Sequence, residues 1–320
     1  MLQYLIILLD DTSTSFCHYN VPKNTGKRLI DIEDLKKGIR FAMMENLMIQ
    51  FVYPEEELPY YYLDTIKSID HIDIKPYNND LKTDSDVIVF NNRPINLLEN
   101  SYPTTIFRMS PFEFFDFPVY LVKETFQHIK RLNIVIKDID PFLAWDVHSY
   151  QKKIEELAEL IELEYSKGNM PQWNILTDRM MLSKMNNCGA GDTVITLAPN
   201  GKFYICPAFY YDNMDDSIGD INIGLNIINQ YLYKLEHAPI CCHCDAYQCK
   251  RCIWLNRRMT LEVNTPSHEQ CVVAHIERNA SRQIANNLKK RNKFYYDVEA
   301  IKEIDYLDPF NNREQWNQEN

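Results

Sequence analysis

The crowding of its cysteines constrains this chain more than any other feature. Of nine cysteines, eight lie between residues 188 and 271, and five fall within CCHCDAYQCKRC, from Cys241 to Cys252. Cys241-x2-Cys244 and Cys249-x2-Cys252 each form a tight pair, and thiolates this close can converge on one centre while backbone amides bond to the sulfurs. The spacing therefore predicts a metal site, holding either zinc or an iron–sulfur cluster.

Charge and the N-terminus limit the possible partners and location. The net charge of the 320 residues is −11 with no compensating block of Lys or Arg, so nucleic acid is not an expected partner. The start, MLQYLIILLDD, has an apolar run too short for a membrane span and no basic segment before it, which favours a buried strand in a cytoplasmic protein without membrane attachment. In a reducing compartment, clustered cysteines are metal ligands more often than disulfides.

The first half alternates strand-like and helical patterns. The helical patterns include residues 31–46, with Asp31 as the cap, and residues 149–167, with Ile154, Leu157, Leu160 and Ile161 facing inward. Strand-like runs are YLIILL (4–9), LMIQFVY (47–53), DVIVF (86–90), TTIFRMS (104–110), NIVIKDI (133–139) and a closing NILTD (174–178). This alternation predicts parallel βα units in an α/β layer or part-barrel.

Composition shifts before the cysteines begin. Five of the eight glycines fall between residues 189 and 224, and SKGNMPQW supplies breakers just before them. We expect an α/β domain at 1–180, a small cysteine-rich domain at 181–275, and a C-terminal helix and tail at 276–320.

A hairpin is predicted at the start of the cysteine-rich part. Two β-rich runs in DTVITLAPNGKFYICPA flank Pro199-Asn200-Gly201, a strong turn signal. A hairpin brings its ends together, so Cys188 and Cys206 can share one site. The alternative is two buried cysteines with no ligand role.

The order of all these cysteines resembles a known module. The chain reads C-x12-G-x4-C, a gap, C-x2-C-x4-C-x2-C, a gap, and a last C, with IGDINIG (218–224) as the connecting segment. This order resembles the SPASM domain, the auxiliary iron–sulfur module of radical SAM enzymes that mature peptides. The usual second block is C-x2-C-x5-C-x3-C, so two gaps here are one residue shorter.

The resemblance implies two iron–sulfur clusters, of the [4Fe–4S] type. The ligands of the first would be Cys241, Cys244, Cys249 and Cys271. The second would take Cys188, Cys206 and Cys252, with Cys242 either completing the set or taking the place of Cys241. His243 and His275 lie near these cysteines, but the thiolates suffice without them.

The front half lacks the ligands of a radical SAM cluster. Such enzymes carry C-x3-C-x2-C after the first strand, and here only Cys17 matches, with Asp10 and Thr14 at the other two positions. One thiolate cannot hold that cluster, so S-adenosylmethionine is not an expected cofactor. Asp10, Asp11 and Cys17 still follow the first strand, where α/β folds place chemistry, and are candidate catalytic residues. Their alternative is a structural one, as loop caps and a buried thiol.

Together, YLIILLDDTSTSFCHYN and the SPASM-like part resemble the CXXX repeat peptide maturases. The resemblance implies a degenerate radical SAM front half, a cysteine-rich precursor peptide and a radical SAM partner enzyme. The clusters would then bind peptide thiols or relay electrons. One alternative is a scaffold with zinc on Cys241, Cys244, Cys249 and Cys252, and another is a redox enzyme that uses Cys17.

Overall fold

The computed structural model describes residues 1–22, 26–78, 85–91, 102–137 and 144–291. These residues form two compact units that interleave in sequence. Over the described residues, the first unit contains 1–117, 124–137 and 189–234, and the second contains 118–123, 144–188 and 235–291. The domain boundaries expected at residues 180 and 275 stay a prediction.

The first unit is built on a sheet with helices. The strands of the first unit, in chain order, are β1 (Tyr4–Leu8), β2 (Met48–Val52), β3 (Ile72–Pro76), β4 (Val87–Phe90), β5 (Tyr102–Met109), β6 (Ile129–Ile136), β8 (Val194–Leu197), β9 (Phe203–Tyr204), β10 (Gly219–Asp220) and β11 (Gly224–Leu225). The short strand β7 (Gln172–Trp173) belongs to the second unit. The helices of the chain are α1 (Ile32–Met44), α2 (Tyr60–Lys67), α3 (Pro111–Phe115), α4 (Val119–His128), α5 (Ala144–Ser166), α6 (Pro207–Asp212), α7 (Ile253–Thr260) and α8 (His268–Lys290).

The main sheet of the first unit is mostly parallel. Its strands follow the order β6-β5-β4-β3-β2-β1-β8-β9, and every pair is parallel except β8 with β9. At the centre, Leu5 of β1 lies between Ile49 of β2 and Ile195 of β8, and all three are buried. The predicted α/β part-barrel is confirmed, and the buried strands explain its nearly continuous apolar runs.

Local signals place the elements of this sheet. Asp31 caps α1 by accepting hydrogen bonds from the backbone N–H groups of Glu33 and Asp34, as expected. The helix buries Leu35, Ile39 and Ala42. The hairpin predicted around residues 199–201 is also present, because β8 and β9 pair antiparallel across that turn.

The second unit is mainly helical. The long helices α5 and α8 pack against each other, and the predicted inward face of α5 is buried at Ile154, Leu157, Leu160 and Ile161. The predicted C-terminal helix is α8, which begins at His268, and its expected continuation beyond residue 291 lies outside the described residues. Among the described helices, none combines the length and apolar character needed to cross a bilayer.

The strand expected at 174–178 is wrong. The short strand β7 lies just before it, and Thr177 turns the chain by donating its N–H to the Trp173 carbonyl at 2.9 Å. The Thr177 hydroxyl oxygen also accepts the Trp173 N–H at 2.6 Å. A side chain that bonds to backbone in this way competes with a sheet ladder.

Candidate metal centre

Four cysteines of the second unit line one cavity. They are Cys241, Cys244, Cys249 and Cys271. The cavity has a volume of about 20 Å³, which exceeds the roughly 10–15 Å³ that one water molecule needs. The cysteines that the resemblance implies for one cluster are thus brought together by the fold.

Short local structures present the four thiols. Cys241 opens a one-turn 3₁₀ helix, Cys241–His243, and its carbonyl accepts the Cys244 N–H at 3.2 Å. The Cys249 N–H donates to the Ala246 carbonyl at 2.7 Å. Cys271 lies in the first turn of α8, where its N–H donates to the carbonyl of the capping residue Ser267 at 3.2 Å.

Backbone amides also point at two of the sulfurs. The Ala246 N–H donates to the Cys244 sulfur at 3.4 Å, and the Arg251 N–H donates to the Cys249 sulfur. Arg251 has a left-handed backbone, with φ of 43°, which is uncommon for a residue with a side chain. Hydrogen bonds of this kind stabilise the thiolate form that a metal requires.

Burial is the largest influence on the pKa of each of the four cavity thiols, and it favours the neutral form. Burial raises the pKa of Cys241 to about 12, and burial likewise raises the pKa values of Cys244 and Cys249. Burial also raises the pKa of Cys271, and the neighbouring Cys249, Cys241 and Cys244 raise it further. A bound cation removes this penalty, and four soft thiolates suit zinc or iron–sulfur chemistry. The residues present therefore fit such a group.

A buried carboxylate braces the loop that carries Cys244 and Cys249. Asp245 accepts a hydrogen bond from Arg278 Nη1 at 2.6 Å and another from Arg282 Nη2. Both arginines belong to α8, so Asp245 anchors the loop to the helix that carries Cys271. The sequence contained one signal for this anchor, which was two arginines four residues apart on a predicted helix.

His275 lies near the thiols, as its place in the sequence indicated. It lines the cavity, and its Nε2 is 3.6 Å from the Cys244 sulfur. His275 follows Cys271 by four residues, so both side chains project from the same face of α8. Cys244, Asp245 and His275 also form a group whose donor atoms all lie within 4.8 Å of one another.

The remaining cysteines of the second unit lie outside this cavity lining. The Cys188 N–H donates to the Lys250 carbonyl at 3.0 Å, which places Cys188 beside the segment leading to Cys252, the capping residue of α7. The Cys242 sulfur donates to the Pro239 carbonyl at 3.8 Å. Cys206 caps α6 in the first unit, so its grouping with Cys188 and Cys252 stays a prediction.

In the first unit, one arginine organises the loop after β1. Arg108, 4% exposed, donates Nε to the Cys17 carbonyl at 2.9 Å. Its other nitrogens donate to the side chain of Asn91 at 2.8 Å, the Tyr19 carbonyl, and the side chain of Asn20 at 2.8 Å. The loop at the predicted catalytic position is therefore held by the chain's own hydrogen bonds.

The carboxylates of this loop also have local partners. Asp10 accepts from the hydroxyl of Thr12 at 2.5 Å. Asp11 accepts from the Tyr210 hydroxyl and from the Arg28 N–H at 3.3 Å. These are contacts of loop-bracing carboxylates, and a catalytic role for Asp10, Asp11 or Cys17 stays a prediction.

Solved structures of one protein share this fold. Native anSMEcpe with bound AdoMet matches with a TM-score of 0.55 and 12% identity, over 89% of this chain and 99% of that one. Its complexes with AdoMet and the Cp18Cys or Kp18Cys peptide match with TM-scores of 0.54 and 0.55, each at 12% identity, over 90% of this chain and 99% or 100% of theirs. The chain therefore shares the fold of anSMEcpe. At this identity the likeness shows the fold alone, and no family model or curated protein matches the chain.

Proposed function

We propose that this chain is a maturation factor for a ribosomally made, cysteine-rich peptide of the CXXX repeat type. It would act beside a radical SAM partner enzyme. The observation that carries the proposal is a cavity lined by four cysteines within a peptide-maturase fold whose usual cluster loop retains only Cys17. Such a chain keeps auxiliary metal chemistry without the means to start radical chemistry itself.

In this proposal the cavity holds one iron–sulfur cluster, and the cysteines that line it are its ligands. These are Cys241, Cys244, Cys249 and Cys271. A second cluster would be held by Cys188, Cys206 and Cys252, with Cys242 as a candidate fourth ligand. When bound, such a cluster supplies one-electron transfer and, at an open iron, a site for a peptide thiolate.

Backbone amides and a buried carboxylate of this chain stabilise the proposed metal site. The Ala246 and Arg251 amides stabilise negative charge on the sulfurs of Cys244 and Cys249. Asp245 fixes the loop between them to α8. The thiols of this braced site are buried or partly buried, and limited access of solvent is one of the factors that tune a metal centre.

Peptide binding is supported by the likeness to anSMEcpe, which is solved with Cp18Cys and Kp18Cys peptides. For this chain we propose a precursor peptide whose cysteines recur every four residues. S-adenosylmethionine is not part of the proposal, because a single thiolate at Cys17 cannot hold the cluster that activates it.

The metal assignment is tested on anaerobically purified full-length protein. Cys244→Ala and Cys249→Ala should each lose the iron and sulfide of one cluster, while the matched control Cys17→Ala keeps the wild-type content. Loss of iron in Cys17→Ala would show instead that the loop after β1 holds metal.

The peptide assignment needs a separate measurement. A synthetic peptide with repeated Cys-x-x-x units is titrated into the protein and compared with the same peptide carrying serine. Binding of only the cysteine peptide, with a change in the visible spectrum, supports thiol capture. Equal binding of both peptides would remove the thiol from the proposal.

A further inference from the structure

Arg179 is a buried arginine that uses only part of its hydrogen-bonding capacity. It lies in the 3₁₀ helix Asp178–Met181 and is 7% exposed. Its Nη2 forms an ion pair with Glu277 of α8. Within the described part of the chain, its Nε and Nη1 are buried without a hydrogen-bond partner. A buried guanidinium normally satisfies its donors, because leaving them unpaired costs free energy.

The carboxylate beside Arg179 has its own second partner. The Tyr150 hydroxyl donates to one oxygen of Glu277, and Arg179 donates to the other. Each oxygen of Glu277 thus has a partner already, and in the described part of the chain Nε and Nη1 of Arg179 bond to neither of them nor to any other acceptor.

The turn that carries Arg179 is tied to the cysteine loop. The side chain of Gln248 donates from Nε2 to the Asp178 carboxylate at 3.1 Å. Asp178 and Gln248 directly precede Arg179 and Cys249, so the bond brings the arginine beside the cysteine. The positive charge of Arg179 lowers the pKa of Cys249, although burial, the larger effect, raises it.

We propose that Arg179 is a positioning residue for the metal centre, donating a spare N–H to the sulfur of Cys249 when that sulfur is ligated as thiolate. This inference rests on the proposed function. The guanidinium then offsets part of the negative charge of a four-thiolate site, while Glu277 limits that effect. A cationic donor near a cluster favours its reduced, more negative state.

Two variants with opposite charge effects test the inference. Arg179→Met removes the positive charge, and Glu277→Gln removes the negative charge that opposes it. The midpoint potential of the centre is measured by a redox titration followed by electron paramagnetic resonance. We expect a lower potential in Arg179→Met, a higher one in Glu277→Gln, and partial rescue in Arg179→Lys. The exposed Lys184→Met serves as the matched control and should not move the potential.

A merely structural role gives a different pattern, because damage to the fold shifts the midpoint potentials of Arg179→Met and Glu277→Gln in the same direction. Potentials that move together, or that stay at the wild-type value in Arg179→Met, would overturn the inference while leaving the cluster assignment intact. If the wild-type centre holds zinc, chelator competition replaces the redox titration. Arg179→Met should then weaken zinc binding by about 10-fold or more, and Glu277→Gln should bind zinc more tightly than wild type. Wild-type protein that takes up no metal would overturn both proposals.

Discussion

Arg108 shows how a single residue can hold the loop that follows the first strand. Its guanidinium bonds to the carbonyls of Cys17 and Tyr19 and to the side chains of Asn91 and Asn20. Hydrogen bonds from a charged donor stabilise more than neutral ones, and their loss leaves buried acceptors unpaired.

We expect Arg108→Met to lower the free energy of unfolding by about 3 kcal/mol, because one buried and three partly buried acceptors lose a charged donor together. Urea unfolding followed by circular dichroism measures the change, with the exposed Arg40→Met as the control. Metal content should stay at the wild-type value. An unfolding free energy equal to that of wild type would show that the loop does not depend on Arg108.

A second prediction at the residue scale concerns Asp245, the carboxylate between Arg278 and Arg282. Asp245→Asn leaves a buried guanidinium without its counter-charge, so we expect a loss of about 3–5 kcal/mol in the free energy of unfolding. Because the loop carrying Cys244 is anchored there, metal content should fall as well. The exposed helix residue Glu155 provides the control as Glu155→Gln, and full metal content in Asp245→Asn would argue against the anchor.

At the scale of elements, α8 carries the proposed ligand Cys271 in a first turn that has its own capping signal. Ser267 accepts the Gln270 N–H through its hydroxyl and so fixes the first turn, which contains Cys271. Removing such a cap costs about 1 kcal/mol. Ser267→Ala should therefore lower the melting temperature of metal-free protein. The control is Ser166→Ala at the last residue of α5, which should change the melting temperature little. Equal melting temperatures for Ser267→Ala and wild type would contradict this role.

The β8–β9 hairpin depends on a glycine that no other residue replaces well. Gly201 has φ of 76°, and an added Cβ would lie 2.9 Å from the carboxylate of Asp34. Gly201→Ala should reduce the free energy of unfolding by about 1–3 kcal/mol through backbone strain. Gly26→Ala, which meets nothing closer than 3.8 Å, is the matched control. An equally small loss of unfolding free energy in Gly201→Ala and Gly26→Ala would show that the turn adjusts its backbone to the added Cβ.

For the whole molecule, regular physical signals made the fold predictable. Apolar runs such as residues 4–9 became the buried central strand, Asp31 capped its helix, and the turn at 199–201 closed its hairpin. Each of these depends on a local periodicity or on one residue's conformational preference. The resemblance of the cysteine order named the four thiols that the fold gathers in one cavity.

The surroundings of the site were not predictable in this way. The contacts of Asp245 with Arg278, of Cys244 with His275 and of Arg179 with Glu277 arise from tertiary packing between segments far apart in sequence. For Asp245 the sequence offered only the four-residue spacing of Arg278 and Arg282, and Arg179 and Glu277 each look like an ordinary surface charge. The strand expected at 174–178 is absent for a local reason, because the Thr177 hydroxyl accepts the Trp173 N–H and holds the chain in a turn.

The iron, sulfide and zinc content of anaerobically purified protein, taken with its visible spectrum, decides between a cluster protein and a zinc protein. We expect a brown protein with about eight irons and matching sulfide, as two [4Fe–4S] clusters require. A colourless protein with about one zinc would contradict this expectation, and would make the cavity of Cys241, Cys244, Cys249 and Cys271 the structural site of a scaffold.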